Sequence, residues 1–205
     1  MKVLNLYAGI GGNRKLWTNV DVTAVEIDPE IAKIYQDFFP SDRVIVADAH
    51  KYLLSHYKEF DFIWSSPPCP SHSVIRRYGV HKGQYDAIYP EMGLYQEIIL
   101  LQHFAKSKWV VENVKPYYKP LISPSVELHR HYFWSNFWIK ETKIIDERKH
   151  ADISCESDLY GVNLSNYEIN NKRKLLRNMV NPEVAKYILD FAFQKEPVQE
   201  GLFQL

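Results

Sequence analysis

Several features that mark special classes of protein are scarce in this sequence of 205 residues. It has two cysteines, Cys69 and Cys155, which lie far apart and predict neither a disulfide framework nor a metal site. Its formal net charge is 0, so no overall basic field indicates a nucleic-acid partner, and any such surface must be local. It has no secretory signal and no apolar run of about 18 residues. We therefore expect a cytoplasmic protein that has no membrane span and binds no metal.

The sequence does contain a regular alternation of strand-like and helix-like segments. Hydrophobic residues make up 46% of the chain, enough to fill a core. The patterns predict strands at 2–7, 22–26, 44–47, 60–64 and 109–112, and helices at 29–39, 50–57, 91–106 and 182–193. They also predict a proline-rich loop at 65–90 and an aromatic strand at 132–139. The alternation is typical of an α/β fold with a doubly wound, mostly parallel sheet.

Glycines and acids follow the first three predicted strands. Gly9 and Gly11 form a turn after the first strand, where a nucleotide-like ligand commonly approaches the backbone. Arg14 stands where a dinucleotide-binding pattern has its third glycine, which disfavours a pyrophosphate ligand. Glu26 and Asp48 end the next two strands, where an acid either accepts hydrogen bonds from ribose hydroxyls or caps a helix. Together these residues favour an adenosine-containing ligand, and a tight turn without a ligand is the alternative.

A cysteine between prolines follows the fourth predicted strand. The prolines around Cys69 restrict its backbone, which suits a nucleophile, although a lone cysteine is more often a small buried hydrophobic residue. Arg76 and Arg77 follow in a stretch without acids, and they either favour a thiolate and grip phosphates or belong to a solvated loop. Glu112 and Asn113 end the fifth strand, where the asparagine could also cap a helix. We expect the glutamate and the cysteine to face one crevice at the carboxyl ends of the strands.

Four short segments, in order along the chain, resemble motifs of the C5-cytosine DNA methyltransferase family. They are Leu6-Tyr7-Ala8-Gly9-Ile10-Gly11-Gly12 (F-x-G-x-G-G in the family), Pro67-Pro68-Cys69 (P-P-C), Glu112-Asn113-Val114 (E-N-V) and Asn178-Met179-Val180 (N-x-V). The resemblance extends from residue 6 to about residue 193. It implies the Rossmann-like fold of S-adenosylmethionine-dependent methyltransferases.

The resemblance also implies a cofactor, a substrate and the residues that serve them. S-Adenosylmethionine is the implied cofactor, and its implied binding residues are Tyr7, Gly9, Gly11, Gly12, Glu26, Ile27, Asp48, Pro67, Asn178 and Val180. Cys69 is the implied nucleophile, which adds to C6 of a cytosine flipped out of double-stranded DNA. Glu112 is implied to bind and protonate the cytosine ring. The predicted substrate contacts are Pro68 and Asn113 from the motifs, and Arg76 and Arg77 from the basic stretch that follows Cys69.

The sequence departs from the family pattern at three places. Pro70 follows the nucleophile where the family often has glutamine. Glu127, His129 and His131 occupy the three fixed positions of the family's Q-x-R-x-R motif. Either Arg130 therefore serves as the catalytic arginine, or the histidines replace the phosphate and ring contacts with a pH dependence near about 6.5. The third departure is a short target-recognition region.

The predicted organisation has four parts: a catalytic and cofactor-binding core at 1–139, a reduced target-recognition segment at 140–171, a closing helix at 172–194 and a flexible tail at 195–205. Because the recognition segment is short and partly acidic, we expect a very short DNA site, a homodimer or a separate recognition subunit. In the tail, the stretch from Gln199 to Phe203 resembles the Q-x-x-L-F peptide by which bacterial DNA-processing proteins dock on the sliding clamp. The alternative is that the tail packs on its own domain.

The function that these observations favour is DNA cytosine C5 methylation. A tRNA cytosine C5 methyltransferase is one alternative, because that branch of the family also lacks a large recognition domain. A non-catalytic cofactor-binding or DNA-binding subunit that needs a partner is the other. The sequence does not separate restriction protection, phage self-modification and solitary regulation, since all three use the same chemistry.

Overall fold

The computed structural model describes residues 1–142 and 160–193 as strands and helices around one twisted sheet. Its strands are β1 (Lys2–Leu6), β2 (Asp21–Glu26), β3 (Arg43–Val46), β4 (Phe62–Ser65), β5 (Lys108–Val114), β6 (Val126–Leu128) and β7 (His131–Ser135). Its helices are α1 (Pro29–Phe38), α2 (Ala49–His56), α3 (Val74–His81), α4 (Gly93–Phe104), α5 (Lys172–Asn178) and α6 (Pro182–Phe193), with a 3-10 helix at Asn13–Leu16.

The seven strands lie in the order β3-β2-β1-β4-β5-β7-β6. The first five pair in parallel, and β7 then pairs antiparallel with both β5 and β6. The predicted α/β fold with a doubly wound, mostly parallel sheet is confirmed. The direction of winding reverses between β1 and β4, which is where open sheets of this kind bind ligands, outside the carboxyl ends of the strands.

Helices cover both faces of the sheet, and the alternation of side chains along the strands supplies both cores. On one face Val3, Phe62 and Trp64 pack with Ile188 of α6 and with other buried residues. On the other face Leu4 and its neighbours Leu6, Ile63 and Val111 pack against residues of α2 and α4. Each central strand is buried on both sides, as parallel sheets require. The loops at the strand ends are therefore held by a rigid frame.

The structure corrects the prediction of an unbroken loop at 65–90. Helix α3 forms within it, and Ser73 caps the helix because its Oγ accepts the backbone N–H of Ile75 at 3.1 Å. The prolines and glycines of this stretch predict a loop, but they stand outside the first turn of α3. The aromatic strand also ends earlier than predicted, at Ser135 instead of residue 139.

Part of the predicted target-recognition segment at 140–171 packs into the body of the protein. Val162 and Leu164 are buried against Ile10, Ile34 and Leu176. Residues 143–159 and the predicted clamp-binding stretch at 199–203 lie outside the described residues. The division of the chain into four parts stays a prediction. Among the helices of the described ranges, none has the length and apolar character needed to cross a membrane.

Candidate active site

Cys69 lies in the turn that follows β4, and its backbone is held on both sides. Before it, the carbonyl oxygen of Pro67 accepts a 2.9 Å hydrogen bond from Nδ2 of Asn113, which follows Glu112 on β5. After it, the carbonyl oxygen of His72 accepts the backbone N–H of Tyr117 at 3.1 Å. The carbonyl oxygen of Cys69 itself accepts the N–H groups of His72 and Ser73 at 3.0 and 3.1 Å. These bonds fix the direction of residues 67–72, the nucleophile segment.

The charges around Cys69 act on its thiol in opposite directions. Burial, and after it the negative charge of Glu112, raises the pKa of the Cys69 thiol above its ordinary value. A backbone N–H of the cysteine and the ammonium group of Lys174 on α5 lower the pKa by less. The thiol and the carboxylate are thus close enough to interact, as the order of β4 and β5 predicts.

Glu112 is a buried acid near the carboxyl end of β5, and His131 at the start of β7 reaches it. Nε2 of His131 lies 3.4 Å from Oε1 of Glu112. The antiparallel register of β5 and β7 brings the two residues together. His131 occupies one of the positions at which the family motif has an arginine. The structure therefore places a histidine beside the acid, where the family motif has an arginine. Histidine has a smaller side chain than arginine and, unlike arginine, can change its charge in the physiological pH range.

The glycine turn after β1 lies beside Glu26. The carboxylate of Glu26 accepts the backbone N–H groups of Gly9, Ile27 and Asp28 at 2.9, 3.0 and 3.1 Å. Gly9 has a φ of +54° and Gly11 a φ of +81°, which is the left-handed region that favours glycine. The turn and the acid thus form one hydrogen-bonded unit at the end of β1 and β2.

The other residues of the predicted cofactor site differ in their burial and in what they contact. A Cβ on Gly12 would lie 2.7 Å from the carbonyl oxygen of Val180, so the chain between α5 and α6 returns to the glycine turn. Ile27 is 67% exposed next to Glu26. Asp48 caps α2 through the backbone N–H of Lys51, which lowers the pKa of its carboxyl group. Asn178 is exposed at the end of α5, and Pro67 is buried.

The predicted substrate contacts lie in several environments. Pro68 is exposed beside Cys69, and Asn113 is buried. Arg76 lies on α3, where its Nη2 donates to the carbonyl oxygen of Asp86 at 2.9 Å and its guanidinium group lies over the ring of Tyr85. Arg77 is exposed on α3. Arg130, the predicted catalytic arginine, is exposed in the turn between β6 and β7.

Arg14 and two carboxylates in this half of the molecule are not part of the predicted site. Arg14 makes a two-point ion pair with Asp42, at 2.7 and 3.0 Å, and so has a structural partner. Glu97 of α4 is buried behind the site and contacts Tyr7.

A comparison with protein-family models finds one match. Residues 1–120 match the C-5 cytosine-specific DNA methylase family, which is more than half of the chain. The chain belongs to this family. A search of curated proteins finds no match for this methyltransferase.

Solved structures of methyltransferases resemble the chain in fold. The Entamoeba histolytica methyltransferase EhMeth is 12% identical, with a TM-score of 0.51, over 94% of this chain and 98% of that one. A Spodoptera frugiperda DNMT2 variant is 26% identical over 56% of this chain and 35% of that chain, with a TM-score of 0.38. A TehB-like SAM-dependent methyltransferase from Corynebacterium glutamicum is 20% identical over 55% and 54% of the two chains, with a TM-score of 0.36. The chain thus spans about a third of the length of the Spodoptera protein.

Three residues of the site region in this methyltransferase were not predicted in their observed roles: Lys174, His131 as the partner of Glu112, and Glu97. The charge of Lys174, on α5, acts on the Cys69 thiol although the two residues lie far apart in the sequence. A single acid within an apolar helical stretch was the available sequence signal for Glu97.

Proposed function

We propose that this methyltransferase transfers a methyl group from S-adenosylmethionine to C5 of a cytosine in DNA. One observation carries the proposal. The Cys69 thiol and the Glu112 carboxylate lie at the carboxyl ends of two neighbouring parallel strands, close enough for the charge of the acid to raise the pKa of the thiol. A nucleophile and an acid in such an arrangement can act on one substrate ring from two sides.

The residues around the glycine turn fit S-adenosylmethionine. The carboxylate of Glu26 can accept hydrogen bonds from ribose hydroxyls, and the exposed side chain of Ile27 offers an apolar surface to the adenine. A Cβ on Gly9 would meet no atom within 4 Å, so there is space beside the turn. Asp48 and Val180 complete the proposed cofactor site. When bound there, S-adenosylmethionine supplies the methyl group.

The chain's own residues activate the cytosine, because C5 of the free base is a poor nucleophile. The thiolate of Cys69 adds to C6 and forms an Sγ–C6 bond, while Glu112 holds the exocyclic amine and delivers a proton to the ring nitrogen N3. The electron pair displaced from the C5–C6 double bond makes C5 nucleophilic. After methylation, loss of the C5 proton to solvent restores the C5–C6 double bond and expels the thiolate, and N3 returns its proton to Glu112.

The cytosine must leave the DNA duplex to reach this pair of residues. Asn113 positions the nucleophile segment through Pro67 and therefore acts on the substrate indirectly. Arg76 and Arg77 are proposed to contact DNA phosphates, which dominate the affinity of such interfaces. Arg130, or the histidines at 129 and 131, would take the place of the arginines of the family motif. A homodimer or a recognition subunit would add phosphate contacts to those of this chain, whose net charge is zero.

The test measures 5-methylcytosine by nucleoside mass spectrometry after incubation with S-adenosylmethionine and unmethylated duplex DNA. We expect product with the natural chain, none with Cys69→Ala, and undiminished product with the matched variant Cys155→Ala. Product that persists in Cys69→Ala would contradict the covalent mechanism. A parallel reaction with folded tRNA tests the RNA alternative. Cofactor binding without product on either nucleic acid would favour the non-catalytic subunit.

A further inference from the structure

Glu97 is a buried carboxylate that the proposed reaction does not use. It lies on the face of α4 that also buries Leu94, Tyr95, Ile98 and Leu101. Only 1% of its surface is exposed. A charge in such a place is costly unless hydrogen-bond donors surround it. Its presence on an apolar face therefore calls for a physical reason.

Three side chains from different elements contact this carboxylate, and two of them donate through hydroxyl groups. The hydroxyl groups of Tyr7 and Ser65 lie 2.5 Å from Oε1 and Oε2 of Glu97, respectively. Nδ1 of His50, near the start of α2, lies 2.9 Å from Oε1. An ionised carboxylate can only accept hydrogen bonds, and short bonds to a charged acceptor are among the strong ones. Glu97 thus links the ends of β1 and β4 to α2 and α4.

The Tyr7 branch leads to the proposed cofactor site. Tyr7 has a φ of 55°, a left-handed conformation that is uncommon for a residue other than glycine. Two residues later, the backbone N–H of Gly9 donates to Glu26 at 2.9 Å. Burial and the charge of Glu97 both raise the pKa of the Tyr7 phenol, so the phenol remains a donor. The hydrogen bond to Glu97 therefore holds the turn that positions Glu26.

The Ser65 branch leads to the nucleophile. Ser65 is the last residue of β4, and its side chain is fully buried. The chain continues from Ser65 through Pro67 to Cys69, so only residues 66–68 separate the residue with the anchored hydroxyl from the residue that bears the thiol. The position of Ser65 thus sets where the nucleophile segment begins.

We propose that Glu97 is a positioning residue that holds the glycine turn of the cofactor site and the nucleophile segment at a fixed separation. This inference rests on the proposed function. The carboxylate has one oxygen on each branch, so it connects the two halves of the site through a single side chain. A neutral glutamine at this position has only one acceptor oxygen, and its amide group would face the hydroxyl of Tyr7 or of Ser65.

The test compares Glu97→Gln, Tyr7→Phe and Ser65→Ala by calorimetric titration with S-adenosylmethionine and by kcat on duplex DNA. We expect Glu97→Gln to raise the Kd for the cofactor about tenfold, equivalent to about 1.4 kcal/mol, and to lower kcat about tenfold. Tyr7→Phe should raise Kd and leave kcat nearly unchanged. Ser65→Ala should lower kcat and leave Kd nearly unchanged.

Glu59→Gln is the matched control, because Glu59 also pairs with a histidine, His56 Nδ1 at 2.8 Å, but on the surface. Its Kd and kcat should equal those of the natural chain. A lowered melting temperature in Glu97→Gln with unchanged Kd and kcat would show a purely structural role and overturn the inference. If Glu97→Gln does not fold, the inference is tested by whether Tyr7→Phe changes mainly Kd and Ser65→Ala mainly kcat. Equal effects of the two variants on Kd and kcat would overturn the inference. Failure of the natural chain to bind the cofactor would overturn the proposed function as well.

Discussion

Two buried glutamates at the carboxyl ends of the strands differ in what holds them. Glu26 at the end of β2 is 9% exposed, and Glu112 near the end of β5 is 7% exposed. Three backbone N–H groups donate to Glu26 at 3.1 Å or less. Within the described residues, the carboxylate of Glu112 contacts the imidazole of His131, at 3.4 Å. That distance is longer than a good hydrogen bond.

The difference matches two kinds of task. Backbone donors cannot rotate away, so Glu26 is fixed in place before any ligand arrives, which suits the binding of an unchanging cofactor. Glu112 keeps acceptor positions for a substrate ring, and its charge acts on the Cys69 thiol. The methyltransferase thus has one acid on the cofactor side that three backbone donors hold in place and one on the catalytic side whose described contact is a single, longer one. Substitution of each acid by its amide should have separable effects.

The largest effect is expected on the catalytic side, from Glu112→Gln. The variant should lower kcat by about 10²–10⁴-fold, because it removes the proton donor to the cytosine ring, and should leave the Kd for S-adenosylmethionine unchanged. It should also lower the pKa of Cys69, since the carboxylate raises that pKa. Single-turnover methylation and the pH dependence of thiol alkylation, in a Cys155→Ser background, measure both quantities. A kcat within threefold of the natural chain would exclude the proposed role.

A smaller effect of a different kind is expected from Glu26→Gln. The Kd for S-adenosylmethionine should rise about tenfold, and kcat at saturating cofactor should stay close to that of the natural chain. The free energy of unfolding should fall by about 1–3 kcal/mol, because backbone N–H groups lose a charged acceptor. Calorimetric titration and urea denaturation measure the two changes. A fall in kcat with an unchanged Kd would remove the contrast between the two acids.

Much of the fold follows from patterns that are local in the sequence. The five parallel strands are mostly apolar segments of four to seven residues, and α1 begins at an Asp28 cap followed by Pro29, so the order of elements can be predicted. The neighbouring positions of Cys69 and Glu112 also follow, because strand order in a doubly wound sheet is constrained. The match to the methylase family confirms the resemblance that the motifs indicated.

The remainder depends on contacts between distant parts of the chain. Helix α3 was not predicted because its apolar side chains Val74, Ile75 and Tyr78 are exposed and mark no buried face. Glu97 has the spacing of a core residue and the chemistry of a surface residue, and its donors lie far away in the sequence. The pairing of His131 with Glu112 depends on the register of an antiparallel strand, which a sequence pattern alone does not fix.

The smallest effect is expected from Lys174→Ala. This variant tests how much the charge of Lys174 offsets the effect of Glu112 on the pKa of Cys69. The ammonium group of Lys174 lowers the pKa of Cys69, so its removal should raise that pKa and slow thiol alkylation at a given pH. Lys174 is exposed, and the difference should therefore shrink between 0.05 and 1 M salt, whereas the shift caused by the buried Glu112 should persist. Lys33→Ala, which removes an exposed lysine on α1, is the control and should alkylate like the natural chain. A salt-independent difference would mean that Lys174 acts by holding the nucleophile segment and not through its charge.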